Sequence, residues 1–195
     1  MTQVEPAGTS SEIRPPQLLD AQGVDRVLLR LAHEIRERHP GDLTAVVLAG
    51  IREGGLAVAR RLRARLGEAS RWDIPLVAVD VSGFRDDRPR QPGLDGAWQE
   101  LDPPGAAASP EGLVVVLVDD VIQTGRTMRA AFDLVASRGR PAAIEMAVLV
   151  DRGGREVPVR PNYVGKNLPV AAGDWVEIRL GTAPEQDGIF LVPRR

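Results

Sequence analysis

From Val24 onward the apolar residues Val24, Val27, Leu28, Leu31 and Ile35 recur at the spacing of a single helical face. The opposite face carries Arg26, Arg30 and His33, with Glu37 below them, and Pro40–Gly41 ends the pattern. The period changes at "TAVVLAG" (Thr44–Gly50), a short, nearly continuous apolar run that reads as a buried strand. "LAVARRLRARLG" (Leu56–Gly67) returns to helical spacing with Gly67 as its expected stop, and Ile74–Val81 is a second strand. Leu113–Val118 then predicts a strand, Arg126–Ser137 a helix stopped by Gly139, and Ile144–Val150 another strand. Trp175–Leu180 and Ile189–Val192 are shorter strand-like pieces. Strands that are apolar along their whole length are covered on both faces. The alternation therefore predicts an α/β fold, a mostly parallel central sheet flanked by helices.

The pattern fails in two places. Residues 1–16 are polar and proline-bearing and read as a disordered tail, leaving residues 17–195 as a single domain. Between Gly83 and Gly112 five prolines and five glycines break any period, so a flexible loop without regular elements is expected there. Composition narrows the function classes. With no cysteine and two histidines, disulfides and thiolate metal sites are excluded and a structural zinc site has no support. A net charge of −2 argues against a generally basic nucleic-acid binder while allowing a local basic face. The N-terminal stretch lacks the basic and apolar regions of a signal peptide, and no apolar run reaches membrane-spanning length. A cytoplasmic protein is expected, with no membrane partner.

Chemistry concentrates in "VVLVDDVIQTGRT" (Val115–Thr127). A buried strand ends in the carboxylates Asp119 and Asp120, and Val121, Ile122 and Gln123 lead into Thr124-Gly125-Arg126-Thr127 at a helix start. In open α/β sheets ligands sit at the carboxyl ends of the strands. Backbone N–H groups, two hydroxyls and a guanidinium at a helix N-terminus suit a phosphate dianion. The acid pair suits ribose hydroxyls or a bound Mg²⁺. A ribose 5-phosphate satisfies both halves, whereas the Walker and dinucleotide fingerprints are absent.

This stretch resembles the signature of type I phosphoribosyltransferases, which bind phosphoribosyl pyrophosphate (PRPP). Together with "RLAHE" (Arg30–Glu34), "FRDD" (Phe84–Asp87), "GRP" (Gly139–Pro141) and the run Ala147–Pro169, it is similar to the PyrR family, bifunctional pyrimidine-operon attenuators and uracil phosphoribosyltransferases. The resemblance implies the type I phosphoribosyltransferase fold with a mobile loop and a small C-terminal hood. It implies that Asp119 and Asp120 hold the ribose hydroxyls, directly or through Mg²⁺, and that Thr124–Thr127 wrap the 5-phosphate. Uracil would displace pyrophosphate to give UMP, with Arg85 of the mobile loop meeting the pyrophosphate and Asp151 and Arg152 contacting uracil. It further implies UMP or UTP as effector, a homodimer or homotetramer, and a pyr mRNA leader bound through Arg30, His33, Arg160 and Lys166.

Two departures from the family stand out. The family's pyrophosphate loop has the form Gly-Ile-Lys-Thr-Arg-Gly, and this chain has "GIREGG" (Gly50–Gly55), with Ile51, Arg52, Glu53 and Gly54 at the centre. An acid replaces the threonine and a glycine the arginine. Losing one charge-assisted contact costs roughly 1.5–3 kcal/mol. Glu53→Thr with Gly54→Arg is therefore expected to raise turnover. On the RNA face, Leu29 replaces a threonine and Gly154 a histidine. Two further readings stay open: a nucleotide-sensing RNA-binding regulator with weak or no catalysis, and a transferase for another base without an RNA role. His39 reads as a helix C-terminal cation, and Trp72, Trp98 and Trp175 as packing or lid residues.

Overall fold

The computed structural model describes residues 15–41, 43–52, 54–70, 73–84, 97–171 and 173–193. The six-stranded sheet is built from β2 (Val46–Ile51), β3 (Leu76–Asp80), β4 (Ala97–Asp102), β5 (Val114–Ile122), β6 (Ala143–Asp151) and β7 (Tyr163–Asn167). Their order is β4-β3-β2-β5-β6-β7, and only the β3–β4 pair is antiparallel. Alternation along the strands divides the core in two. Val46, Leu48, Val116, Val118 and Leu149 meet α1 (Ala21–Arg38) and α2 (Gly54–Ser70), while Val47, Ala49, Val115, Leu117 and Val148 meet α3 (Arg126–Arg138). The stripe read for α1 is the one it buries: Val24, Leu28, Leu31 and Ile35 are each at most 2% exposed. Each such side chain contributes roughly 1.5–3 kcal/mol. Asp20 caps the helix, its carboxylate accepting from Gly23 N at 2.7 Å.

A second, three-stranded antiparallel sheet joins β1 (Gln17–Leu19), β8 (Trp175–Arg179) and β9 (Gly188–Val192) in the order β1-β9-β8. It forms the small C-terminal hood. Asp187, buried, accepts from Arg61 of α2 at 2.9 Å and from Gly181 N at 3.0 Å, which ties the hood to the helical layer. No helix among the described residues is long and apolar enough to cross a membrane. Residues 1–14 of the expected tail lie outside the described residues, whereas the Pro16 carbonyl already accepts from Leu191 N.

Three expectations are corrected. The stretch between Gly83 and Gly112 was expected to hold no regular element, yet β4 lies within it. Pairing with the open edge of β3 supplies what local propensity lacks, and Glu100 organises the following turn by accepting from Gly105 N and Ala107 N. Residues 85–96 of that loop lie outside the described residues. Gly67 does not stop α2, which runs on to Ser70. A helical glycine costs only about 1 kcal/mol, and buried Leu66 with the Arg65 pairs to Asp25 and Glu68 offsets it. The strand expected to end at Val118 continues to Ile122, because pairing with β6 persists through Ile122↔Asp151.

Candidate functional site

Register explains how the acid pair is presented. β5 pairs with β2 as far as Gly50↔Val118 and with β6 as far as Ile122↔Asp151. Asp119 and Asp120 therefore lie where β5 loses its β2 neighbour, inside the strand and not beyond its tip. The two carboxylates go to different neighbours. Asp119, 8% exposed, lines a cavity of about 300 Å³ together with Gln123, Thr124, Gly125, Thr127 and Arg152. Asp120 is half-buried and its carboxylate lies against Gly54, the first residue of α2. Asp119 Oδ1 accepts Asp120 N at 3.0 Å, and Asp120 Oδ1 accepts Val121 N at 2.7 Å. Among the described residues neither pairs with a cation. Burial first, and the neighbouring Asp120 charge second, push the Asp119 carboxyl well above the usual carboxylate range.

The loop after β5 is built for close approach. Gly125 caps α3 with φ +84°, a conformation that calls for glycine, and a methyl group on it would also lie tight against Val157 Cγ2 at 3.0 Å. Thr124 Oγ1 accepts Arg126 N at 3.3 Å, and the Thr124 carbonyl accepts Glu156 N and Val157 N. The Arg126 guanidinium donates to Glu156 at 2.8 Å and does not line the cavity. Val121 and Ile122 also line the cavity, and Ile122 is 3% exposed in the core.

Arg152 reaches the same cavity. It donates to the Asp174 carbonyl of the hood at 2.8 Å, while its buried Nε has no partner. An unpaired buried N–H is an unmet donor. Asp151 is directed elsewhere: its carboxylate accepts from Gly153 N and pairs with Arg155 at 2.6 Å. Arg155, to which the sequence reading assigned no role, also donates to the Gln123 and Val159 carbonyls and so braces the loop after β5. A lone arginine between two glycines and a valine–proline run carries no periodic signal that would single it out.

The remaining candidates divide. Ile51 ends β2 and its side chain is core, 1% exposed. Arg52 is exposed and its guanidinium is hydrogen-bonded to Gln99 of β4, away from the acid pair. Glu53, Arg85 and Trp72 lie outside the described residues. Arg30 is exposed on the face away from the core, as expected, and its guanidinium also reaches Glu34 and the Val164 and Gly165 carbonyls at edge strand β7. His33, Arg160 and Lys166 are exposed. Gly165 brings α1 close to β7, because a methyl there would overlap the Leu149 carbonyl oxygen and lie 2.6 Å from Val27 Cγ1. His39 caps α1 and bonds Glu145, Trp98 donates to the Ala107 carbonyl, and Trp175 is 49% exposed.

The phosphoribosyl transferase domain family matches residues 16–185. Relatives named bifunctional protein PyrR include one from Roseiflexus sp., 42% identical over 90% of this chain and 94% of its own. Others are from Geobacter sp., 44% identical over 83% and 88%, and Streptococcus thermophilus, 37% identical over 92% and 98%. Among solved structures, a hypoxanthine phosphoribosyltransferase from Trypanosoma cruzi in complex with the product IMP superposes with a TM-score of 0.68 at 21% identity, covering 91% of this chain and 89% of that one. That likeness concerns the fold alone.

Proposed function

The chain belongs to the PyrR family of phosphoribosyl transferases, and on that membership we propose that it carries PRPP and uracil to UMP and pyrophosphate and regulates pyr operon mRNA by attenuation. One observation carries the site assignment. Within a single turn of chain, β5 delivers an acid on a cavity wall and then the Gly125-centred N-terminus of α3, with Arg152 closing the other side. The amides and hydroxyls of Thr124–Thr127 take the 5-phosphate, where the helix dipole favours an anion. Asp119 and Asp120 hold the ribose hydroxyls. Arg152, on the cavity wall, faces the base, and Asp151, clamped by Arg155, positions Arg152 and does not itself touch uracil. Departure of pyrophosphate builds oxocarbenium character at the anomeric carbon, and these contacts hold that carbon facing uracil N1.

The donor set also fits Mg²⁺. Two carboxylates without a cationic partner, and no cluster of three metal-binding side chains among the described residues, suit an ion carried in with its anionic ligand. Asp119 and Asp120 would hold it, and when bound it would neutralise the leaving pyrophosphate. Arg30, His33, Arg160 and Lys166 form the RNA-facing set, with Arg30 also tying β7 to α1. The protein is cytoplasmic and assembles as a homodimer or homotetramer.

A second reading, a nucleotide-sensing regulator with little turnover, is favoured by the direction of Arg52 toward Gln99. Labelled uracil incubated with PRPP and Mg²⁺, beside PRPP calorimetry, separates the two. UMP formation is expected; PRPP binding without UMP would establish the regulator, and neither would remove PRPP from the site.

A further inference from the structure

Resting on the reading that Asp120 holds a ribose hydroxyl, we propose that Gly54 is the residue that positions the Asp120 carboxylate, so that this site is built around a glycine where the family's loop carries arginine. Gly54 opens α2 and is not among the glycines with positive φ. Glycine is needed there for space, not for conformation. A methyl group on its Cα would overlap Oδ2 and Cγ of Asp120 and lie 3.0 Å from Oδ1. The residues around it are confined in the same way. At Gly55 a methyl would overlap the Val118 carbonyl oxygen and lie 2.9 Å from Asp119 Cα, and at Gly50 it would lie 2.6 Å from Leu56 Cα. Gly54 and Gly55 thus let the first turn of α2 dock against β5 at the acid pair, and Gly50 lets the same turn lie against β2.

The Asp120 carboxylate is held from two sides. Its Oδ1 accepts Val121 N at 2.7 Å, and its other oxygen lies over Gly54. The positive end of the α2 dipole favours a carboxylate in that place. A side chain at position 54 has two ways to gain room. It can push α2 off the sheet, but Val58, Ala59, Leu62 and Leu66 anchor that helix in the core at no more than 1% exposure each. The alternative is to turn the Asp120 carboxylate away, which breaks one hydrogen bond. The carboxylate gives way, and the hydroxyl contact moves with it. Gly54→Arg therefore lowers activity, the reverse of what the loop motif alone implies.

The test is a cycle of Gly54→Ala, Asp120→Ala and their double variant in the full chain, read by PRPP calorimetry, by KM for PRPP and for uracil, and by thermal melting. Gly54→Ala is expected to weaken PRPP about tenfold, the scale of one charge-assisted contact, with KM for uracil unchanged. In the Asp120→Ala background the same methyl meets no carboxylate, so the double variant binds PRPP as Asp120→Ala does. Additive losses, or higher turnover in Gly54→Arg, would overturn the proposal. Should Gly54→Ala not fold, folding restored in the double variant supports the assignment and continued misfolding overturns it. An Asp120→Ala protein that binds PRPP as tightly as the parent is a different failure, since it removes the acid pair from the PRPP site altogether.

Discussion

Glu145 on β6 and Asp119 on β5 are buried carboxylates on adjacent strands, 5% and 8% exposed. Glu145 accepts from the Tyr163 hydroxyl at 2.5 Å, from Arg38 Nε at 2.7 Å and lies 2.9 Å from His39 Nε2. Burial alone would raise its pKa; the bonds from Tyr163 and His39, helped by Arg38, hold the carboxyl below the usual glutamate range. Tyr163 is correspondingly pushed up, by burial first and by Glu145 second. Among the described residues Asp119 has only the Asp120 amide and a second acid beside it, and it shifts the other way. One carboxylate joins the end of α1 to β6 and β7 and belongs to the fold. The other lacks such bonds, and on the reading proposed above it waits for a ligand that brings its own partner.

Exchanging the acids should separate these roles. Asp119→Asn is expected to lower kcat/KM for PRPP roughly a hundredfold, about 3 kcal/mol, while raising the thermal midpoint. A lower midpoint with unchanged turnover would abolish the distinction. Glu145→Ala should cost about 2–3 kcal/mol of stability, seen as a midpoint lower by roughly 5–10 °C, with kcat retained below the melt. Loss of kcat in a folded Glu145→Ala protein would place that cluster in the catalytic pathway.

The smallest effect is on pH dependence, where the signs oppose. Glu145 has a depressed folded pKa, so its stabilisation is complete above the ordinary glutamate range and is lost as pH falls through the folded value. Asp119 has a raised folded pKa, so the unfolded chain releases that proton first. Its contribution declines as pH rises from the ordinary aspartate range to the folded value. Between about pH 4 and 7, melting midpoints of Asp119→Asn should therefore climb more steeply than those of the parent. Parallel curves would show that Asp119 keeps an ordinary affinity for its proton.

The same contrast shows what was legible in the sequence. Periodicity located the strands of the sheet interior and all three helices, because buried strands and one-faced helices write their environment into local composition. It missed β1, β4 and β7. β4 and β7 are edge strands and β1 is three residues long, so a neighbour supplies the pairing that their own side chains do not announce. The run Asp119–Thr127 could be read as chemistry because its members are adjacent in sequence. Glu145 with His39 and Tyr163, Arg155 behind its loop, and Gly54 against Asp120 depend on elements brought together only by folding. Read linearly, Gly54 was a missing cation; packed against β5, it makes room for an acid.

The pairing of β1 with β9 has a kinetic side. Gln17 opposes Phe190 and Leu19 opposes Ile189, with nearly all of the described chain between them. Contacts of such separation carry a large loop-closure entropy, and they form late. From β2 to β6 only the β2–β5 pair joins strands that are not consecutive, but the hood waits for β8 and β9. Val176 of β8 lines the cavity, and the Asp174 carbonyl that anchors Arg152 directly precedes that strand. A chain emerging from the ribosome thus has the acid pair and the loop after β5 before it has the wall that closes over them, and the cavity is among the last features it completes.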